Sequence, residues 1–431
     1  MRAETKAAKI AEPAQTPVSR QPIDPLENQL SQLFRARVNR REAIILGAAG
    51  LGTLGLAACG SLSSGTTVSG PDFKLGLVLP SSKVYAQLGA DIGDGIALYF
   101  DSVGNKAGGR NLKTLKEDEA ADPATALTAT RKLVEQSNVD MIGGFVSSAA
   151  ALGARDYLDQ NKMPTVLSQS GANALSRAKK SKYIYRVSNS SWQNGTPIGK
   201  YVGDNVSKKV VMVYANYAAG QEIAAAFKET FTGTLGPDVK PPLFTTDYSS
   251  FITEIQKSSP EAIFVFLAGA DAIGFIKLAR QVGLFDQIKV TASGYFLEQD
   301  VLDAVADAAP LGAVSCLDWA PSLTNKENTD FVSNFTKRYN RKPSVYAEHG
   351  FDTGRVIVEA LNKVNGDTSN RDALLDAISK VTFNGPRGPF SFDAATNNVV
   401  NTMYIRELRK GQAGLSNEVI TSTSGVTDPG K

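Results

Sequence analysis

Two short turns carry the hydroxyls and amides suited to gripping a small anion. Gly143-Gly144-Phe145-Val146-Ser147-Ser148 closes an apolar run and precedes a helical one. At such a strand end, free backbone N–H groups, the helix dipole and the Ser147 and Ser148 hydroxyls can together hold a carboxylate. The competing use of Ser147 is to cap that helix. Ser168-Gln169-Ser170-Gly171 follows the next apolar run and makes the matching turn, with capping again the competing use. Catalytic chemistry finds little material by comparison. The chain has one histidine, His349, so a Ser-His triad would have to run through it and most histidine-based metal sites are excluded. Of the two cysteines, Cys316 sits in the apolar run Ala313-Val314-Ser315-Cys316-Leu317 and reads as a buried, unreactive thiol. No local nucleophile motif accompanies His349. These residues point to binding without catalysis, cofactor or metal.

The turns need strands and helices to aim them, and the pattern supplies both in alternation. Phe73 to Leu79 is a short apolar strand, followed by a helical stripe of Ala90, Ile92, Ile96, Ala97, Leu98 and Phe100. The alternation continues with a strand at Lys113–Glu117, a helix from Pro123 to Gln136 with Asp122 as its N-cap, and a strand from Val139 to Val146. A helix then spans Ala149 to Gln160, and a strand Pro164 to Ser168. A second series runs from Gln193 to Ala292, with strands at Lys209–Tyr214, Leu243–Asp247, Ala262–Leu267 and Lys289–Ala292. Strands too apolar to show a polar face imply parallel sheets covered on both sides, hence an α/β fold of two Rossmann-like lobes joined by hinge strands. The expected division is 72–187 plus 320–381 for the N-terminal lobe, 188–319 plus 382–415 for the C-terminal lobe, and a disordered tail over 416–431.

Ahead of these lobes, paired arginines (Arg40, Arg41) precede an uncharged segment from Ala43 to Ala58 and then Cys59. A basic region, a short apolar segment and small residues form an export signal, and the segment is shorter than the roughly 20 apolar residues of a membrane span. Leu56-Ala57-Ala58-Cys59-Gly60 resembles the lipobox of bacterial lipoproteins, and Asn39-Arg40-Arg41-Glu42-Ala43-Ile44 resembles a twin-arginine motif. Residues 1–58 therefore read as leader and signal, Cys59 as the site of lipidation, and 59–71 as a flexible Ser/Gly/Thr linker. The formal net charge of +3 arises wholly within residues 1–58. The balanced remainder gives no support for nucleic-acid binding.

The order of elements and several runs resemble the branched-chain amino acid–binding family, the type I periplasmic binding proteins of ABC importers. The runs are Leu79-Pro80-Ser81-Ser82 with Tyr85-Ala86-Gln87-Leu88-Gly89; Asp122-Pro123; Gly143 to Ser148; Ala279-Arg280-Gln281-Val282-Gly283-Leu284; and Arg387-Gly388-Pro389-Phe390-Ser391-Phe392. The resemblance implies a monomer that captures an amino acid of branched-chain type, or a similar small carboxylate, and delivers it to permease subunits. It assigns ligand contacts to Ser147, Ser148, Ser168, Gln169, Ser170 and Ala172 on one lobe, and to Tyr217, Gly269, Asp271 and Tyr295 on the other. Tyr85 becomes a wall of the side-chain pocket. Ala172 stands where the family often has a hydroxyl, Ala219 where it often has a tyrosine, and Lys83 where a glycine is usual. Helix capping remains the competing use of Asp271, and a structural place is favoured for Glu348 and His349. Two rivals share the surface location: a lipoprotein of the same fold that binds cell-wall synthases, and a hydrolase with His349 as base.

Overall fold

The computed structural model describes residues 70–412 and 414–431. The arginine pair, the apolar segment, Cys59 and most of the linker lie outside the described residues. Six strands open the first lobe: β1 (Phe73–Leu79), β2 (Lys106–Ala107), β3 (Arg110–Asp118), β4 (Met141–Gly144), β5 (Thr165–Leu167) and β6 (Ile184–Arg186). Helices α1 (Ala86–Ser102), α2 (Pro123–Arg131) and α3 (Ser148–Gln160) connect them. Five strands make the second series: β7 (Lys209–Tyr214), β8 (Thr234–Val239), β9 (Ala262–Phe266), β10 (Lys289–Ser293) and β11 (Val314–Leu317). Their helices are α4 (Ser191–Asn205), α5 (Ala218–Thr230), α6 (Ser249–Lys257), α7 (Gly269–Gln281) and α8 (Gln299–Val305). Helices α9 (Lys326–Tyr339), α10 (Val345–Lys363) and α11 (Arg371–Ser379) follow, then β12 (Thr382–Gly385), β13 (Gly388–Asp393), β14 (Asn398–Val399), β15 (Asn401–Gly411) and β16 (Gly414–Val426).

Two sheets result, ordered β12-β13-β14-β6-β5-β4-β1-β3-β2 and β16-β15-β11-β10-β9-β7-β8. Their centres are parallel, as in the register Leu75↔Met141 between β1 and β4 and Val210↔Ala262 between β7 and β9. The central strands β4, β5, β6 and β9 are buried at every residue; β4 and β9 are accordingly free of polar side chains, while β6 buries Arg186 against the Ser170 and Ala172 carbonyls. The sheet edges differ from the sequence reading in three places. Residues 382–399 pair in the first sheet, not the second, because β14 lies parallel to β6 with Asn398 opposite Arg186. The third passage between sheets therefore falls at Val400, between β14 and β15. The segment 414–426 is a strand paired antiparallel with β15 rather than a disordered tail. The strand expected at Leu243–Asp247 is a loop, and the edge strand is instead Thr234–Val239, whose Gly236 and Pro237 hid it.

Helix α10 reaches the centre of the molecule because its neighbour α1 lets it come close. A Cβ at Gly95 would sit 2.0 Å from the Ala347 carbonyl oxygen, and one at Gly350 2.2 Å from that of Ile92. Glycine at both positions permits backbone contact and brings Tyr346, Glu348 and His349 to the passages between sheets. Arg387, in the β12–β13 turn, ties those passages together. Its Nη1 donates to the Val187 carbonyl (2.8 Å) and to Asp318 Oδ2 (2.8 Å), its Nε donates to Asp352 (2.8 Å), and its carbonyl accepts from the Tyr404 hydroxyl (2.7 Å).

Candidate ligand site

The strand ends of both sheets face one hollow of about 430 Å³. Such a volume suits a small solute. The first lobe contributes Tyr85, Leu88, Val146, Ser148, Gln169, Gly171 and Tyr346; the second contributes Ser191, Tyr217, Ala219, Ile223, Phe266, Ala268 and Tyr295; Asn189 comes from the passage between them. The rings form a continuous row. Tyr217 lies 6.1 Å from Phe266, Phe266 6.4 Å from Tyr295, and Tyr295 stacks on Tyr346 at 5.9 Å with the planes 19° apart. None of the described residues lining the hollow carries a formal charge.

The lobes meet across this hollow. The Tyr85 hydroxyl donates to that of Tyr217 at 3.2 Å, and the Asn173 N–H donates to Glu222 at 2.9 Å. Burial pushes the Tyr217 phenol up to about 12, so it stays a neutral donor and acceptor. The Ser191 N–H donates to the Gly171 carbonyl at 2.7 Å, and the Lys83 ammonium lies 5.7 Å from the centre of the Phe244 ring.

Five expected contacts line the hollow: Tyr85, Ser148, Gln169, Tyr217 and Tyr295. The Ser148 Oγ is buried without a hydrogen-bond partner among the described residues. Six others lie elsewhere. Ser147 is the N-cap of α3, accepting from the Ala150 N–H, while its own N–H donates to Glu119 at 2.8 Å. Glu119 also accepts from the Val146 N–H at 3.1 Å, so it occupies two amides that a bound anion would otherwise use. Burial raises the Glu119 carboxyl to about 8 in spite of those two donors. Ser168 faces α10, where the Thr353 hydroxyl donates to it at 3.0 Å. The carbonyls of Ser170 and Ala172 accept from Arg186 at 3.1 and 2.9 Å, and the Ser170 Oγ is buried without a partner among the described residues. Gly269, at φ +55, abuts the first lobe: a Cβ there would lie 2.5 Å from the Val84 carbonyl oxygen. Asp271 accepts from the Phe244 N–H at 3.2 Å. Burial raises its carboxyl to about 6.

Sequence reasoning missed Asn189, Ser191, Phe266 and Tyr346. Ser190 and Gln193 cap α4 reciprocally, a spacing that marks a helix start beside Ser191 and was legible. Tyr346 follows Ser344, which caps α10. His349 is wholly buried outside the hollow, with Nδ1 2.6 Å from Gln169 Oε1 and Nε2 3.0 Å from Asp318 Oδ2. Cys316 is buried in β11, and burial pushes its thiol up to about 12, which keeps it inert.

Two sheets of this order, their strand ends converging on a single hollow, define the class to which comparison with known proteins also leads. Residues 72–413 match the family model described as periplasmic binding protein, and the chain belongs to that family. Its members are substrate-binding proteins of ABC transporters: they bind small molecules, engage permeases, work outside the cytoplasm and are not enzymes. The Leu/Ile/Val-binding protein homolog 6 of Brucella melitensis is 29% identical over 369 residues, spanning 83% of this chain and 93% of the relative. A solute-binding protein of Rhodopseudomonas palustris BisB5, solved with 3,4-dihydroxybenzoic acid, is 31% identical with TM-score 0.80, covering 83% of this chain and 99% of that one. Another from R. palustris, solved with benzoate, is 31% identical with TM-score 0.79, covering 83% and 98%.

Proposed function

We propose that the hollow captures a small aromatic carboxylate for import, with benzoate and its hydroxylated forms as the solute class. The observation that carries this reading is a wall of stacked rings and neutral hydrogen-bonding groups without a charged side chain. A flat ring fits among Tyr85, Tyr217, Phe266 and Tyr295. Its carboxylate meets the unpartnered Ser148 hydroxyl and the first N–H groups of α3, which have no intrahelical acceptor. A branched-chain amino acid, suggested by the name of the Brucella relative, carries an ammonium group that a carboxylate would pair with best. Asp271, the carboxylate expected there, is absent from the wall and bonded to Phe244. The two R. palustris structures with benzoates bound support the aromatic reading by likeness.

The same reading makes the protein a monomeric lipoprotein anchored at Cys59, on the sequence of residues 40–60. Thermal melting in the presence of benzoate, 4-hydroxybenzoate, 3,4-dihydroxybenzoate, leucine and isoleucine tests the solute class. A ligand at 100 times its Kd stabilises the native state by about 2.7 kcal/mol, and a rise in Tm confined to the benzoates is expected. A rise confined to the aliphatic amino acids would overturn it. For the anchor, Cys59→Ala should leave an unprocessed or released protein; normal membrane retention of that variant would refute lipidation.

A further inference from the structure

Residues 427–430 leave the lobe that holds the strand before them. Strand β16 pairs with β15 in the second sheet, and its Val426 lies opposite Asn401, the residue after the third passage. Beyond Val426 the backbone turns onto the first lobe. A Cβ at Gly430 would lie 3.2 Å from Thr396 Cγ2, in the turn between β13 and β14. Asp428 is buried, at 3% exposure, against Arg177 from the segment between β5 and β6. Arg177 Nε donates to Asp428 Oδ1 at 2.9 Å and its Nη2 donates to Oδ2 at 3.3 Å, a two-point pairing of guanidinium and carboxylate. The Gly430 N–H also donates to Oδ1 at 2.9 Å, and Gln193 Nε2, from the first turn of α4, donates to the Val426 carbonyl at 2.7 Å. The chain thus passes between the lobes a fourth time, at Thr427.

Arg177 closes a segment of the first lobe that the second lobe grips directly. This segment, from Ser170 to Arg177, includes Gly171, which lines the hollow. The Gly171 carbonyl accepts from the Ser191 N–H at 2.7 Å and from the Ser191 hydroxyl at 2.9 Å. Asn173 Oδ1 accepts from the Trp192 N–H at 2.9 Å, and the Asn173 N–H donates to Glu222 at 2.9 Å. Ser191 and Trp192 begin α4, and Glu222 stands on α5.

The charges are sorted by lobe. Asp428 and Glu222 belong to elements of the second, Arg177 and Arg186 to the first, and Arg186 interacts electrostatically with both carboxylates. Charges of opposite sign on facing surfaces draw them together and fix their register. Burial alone would raise the Asp428 carboxyl, but hydrogen bonds from Arg177 and Ser190 outweigh it and hold it below the usual range.

We propose that residues 427–430 are a strap: Asp428, seated on Arg177, holds the segment Ser170–Arg177 against α4 and α5 and keeps the lobes closed. Asp428 and Arg177 are positioning residues, since neither lines the hollow. Their effect on affinity rests on the reading that the hollow captures a solute between the lobes.

Amide hydrogen exchange on the full chain, without added solute, tests the strap, because the N–H groups of Asn173, Ser191 and Trp192 all donate from one lobe to the other. Asp428→Asn should speed their exchange by about tenfold or more. The N–H groups of Thr165 and Ser168, which donate to Tyr183 and Gly144 within the first lobe, should keep their rates. Equal rates at the three cross-lobe amides in variant and wild type would overturn the proposal. A uniform rise that includes Thr165 and Ser168 would overturn it too, as the mark of a contact that only stabilises the fold. If Asp428→Asn does not fold, Arg177→Gln, at the partly exposed partner, decides by the same amides. In binding, either variant should weaken benzoate by about threefold to tenfold, chiefly through faster release, and the double variant should be no weaker than Arg177→Gln alone. Unchanged affinity, or additive losses in the double variant, would overturn the strap. If neither benzoate nor leucine binds, the solute reading fails while the exchange rates still decide the strap.

Discussion

Ser147 and Ser148 are adjacent and chemically identical, yet the fold gives them different tasks. Successive residues of a helix point about 100° apart, so one hydroxyl turns back onto the Ala150 N–H and the next faces the hollow. Ser147→Ala should therefore cost about 1 kcal/mol of stability and leave affinity for benzoate near wild type. Ser148→Ala should do the reverse, weakening binding by about tenfold to a hundredfold with little change in Tm, as for loss of one hydrogen bond to a charged group. Melting curves and titrations on the two variants separate the roles. Glu119 makes a pH prediction at the same scale. Its carboxyl is raised in the fold from an ordinary value near 4.5 to about 8, so the folded form keeps a proton that the unfolded chain gives up. Its contribution is fully present below about pH 4.5 and is lost as pH rises through about 8, an effect of at most about 4–5 kcal/mol. Glu119→Gln should flatten that part of the stability profile between pH 5 and pH 8. A profile as steep in the variant as in the wild type would contradict it. The hydroxyl turns were legible because a strand end before a helix has a sequence pattern. Which serine faces inward was not, because that depends on the helix phase and on a carboxyl 28 residues earlier in the chain.

At the scale of elements, the central strands announced themselves and the edges did not. Strands such as Ala262–Phe266 are buried on both faces and had to be apolar throughout. By contrast, Thr234–Val239 and Gly414–Val426 lie at sheet edges where one side meets solvent, so polar residues, Gly and Pro are tolerated and the apolar signal fades. The assignment of 382–399 failed for a different reason: pairing of β14 with β6 spans more than two hundred residues, and local pattern says nothing of it. Arg387 holds these late strands to the passages between sheets. Replacing it by methionine leaves Asp318 and Asp352 buried without their cation, and a loss of about 3–5 kcal/mol is expected in denaturant unfolding. A change under about 1 kcal/mol would show that the arginine does not pin the passages.

Over the whole described body, two lobes touch across a hollow through paired tyrosines, Tyr85 from one and Tyr217 from the other. A solute that bonds to both lobes favours this arrangement over any in which they part, by as much as its affinity differs between the two. The aromatic row belongs to both lobes, since Tyr217, Phe266 and Tyr295 come from the second and Tyr346 from the first. Tyr217→Ala should consequently weaken benzoate binding at least tenfold without unfolding the protein, because it removes both a ring and the hydroxyl bridge. The most direct measurement is calorimetric titration of the protein with benzoate and, separately, with leucine. Benzoate should bind one to one at micromolar Kd or tighter, about −8 kcal/mol, while leucine gives no binding heat at millimolar concentration. Tight leucine binding with no response to benzoate would contradict the account, since its ammonium group would have to be held without a carboxylate, which the described wall of the hollow lacks.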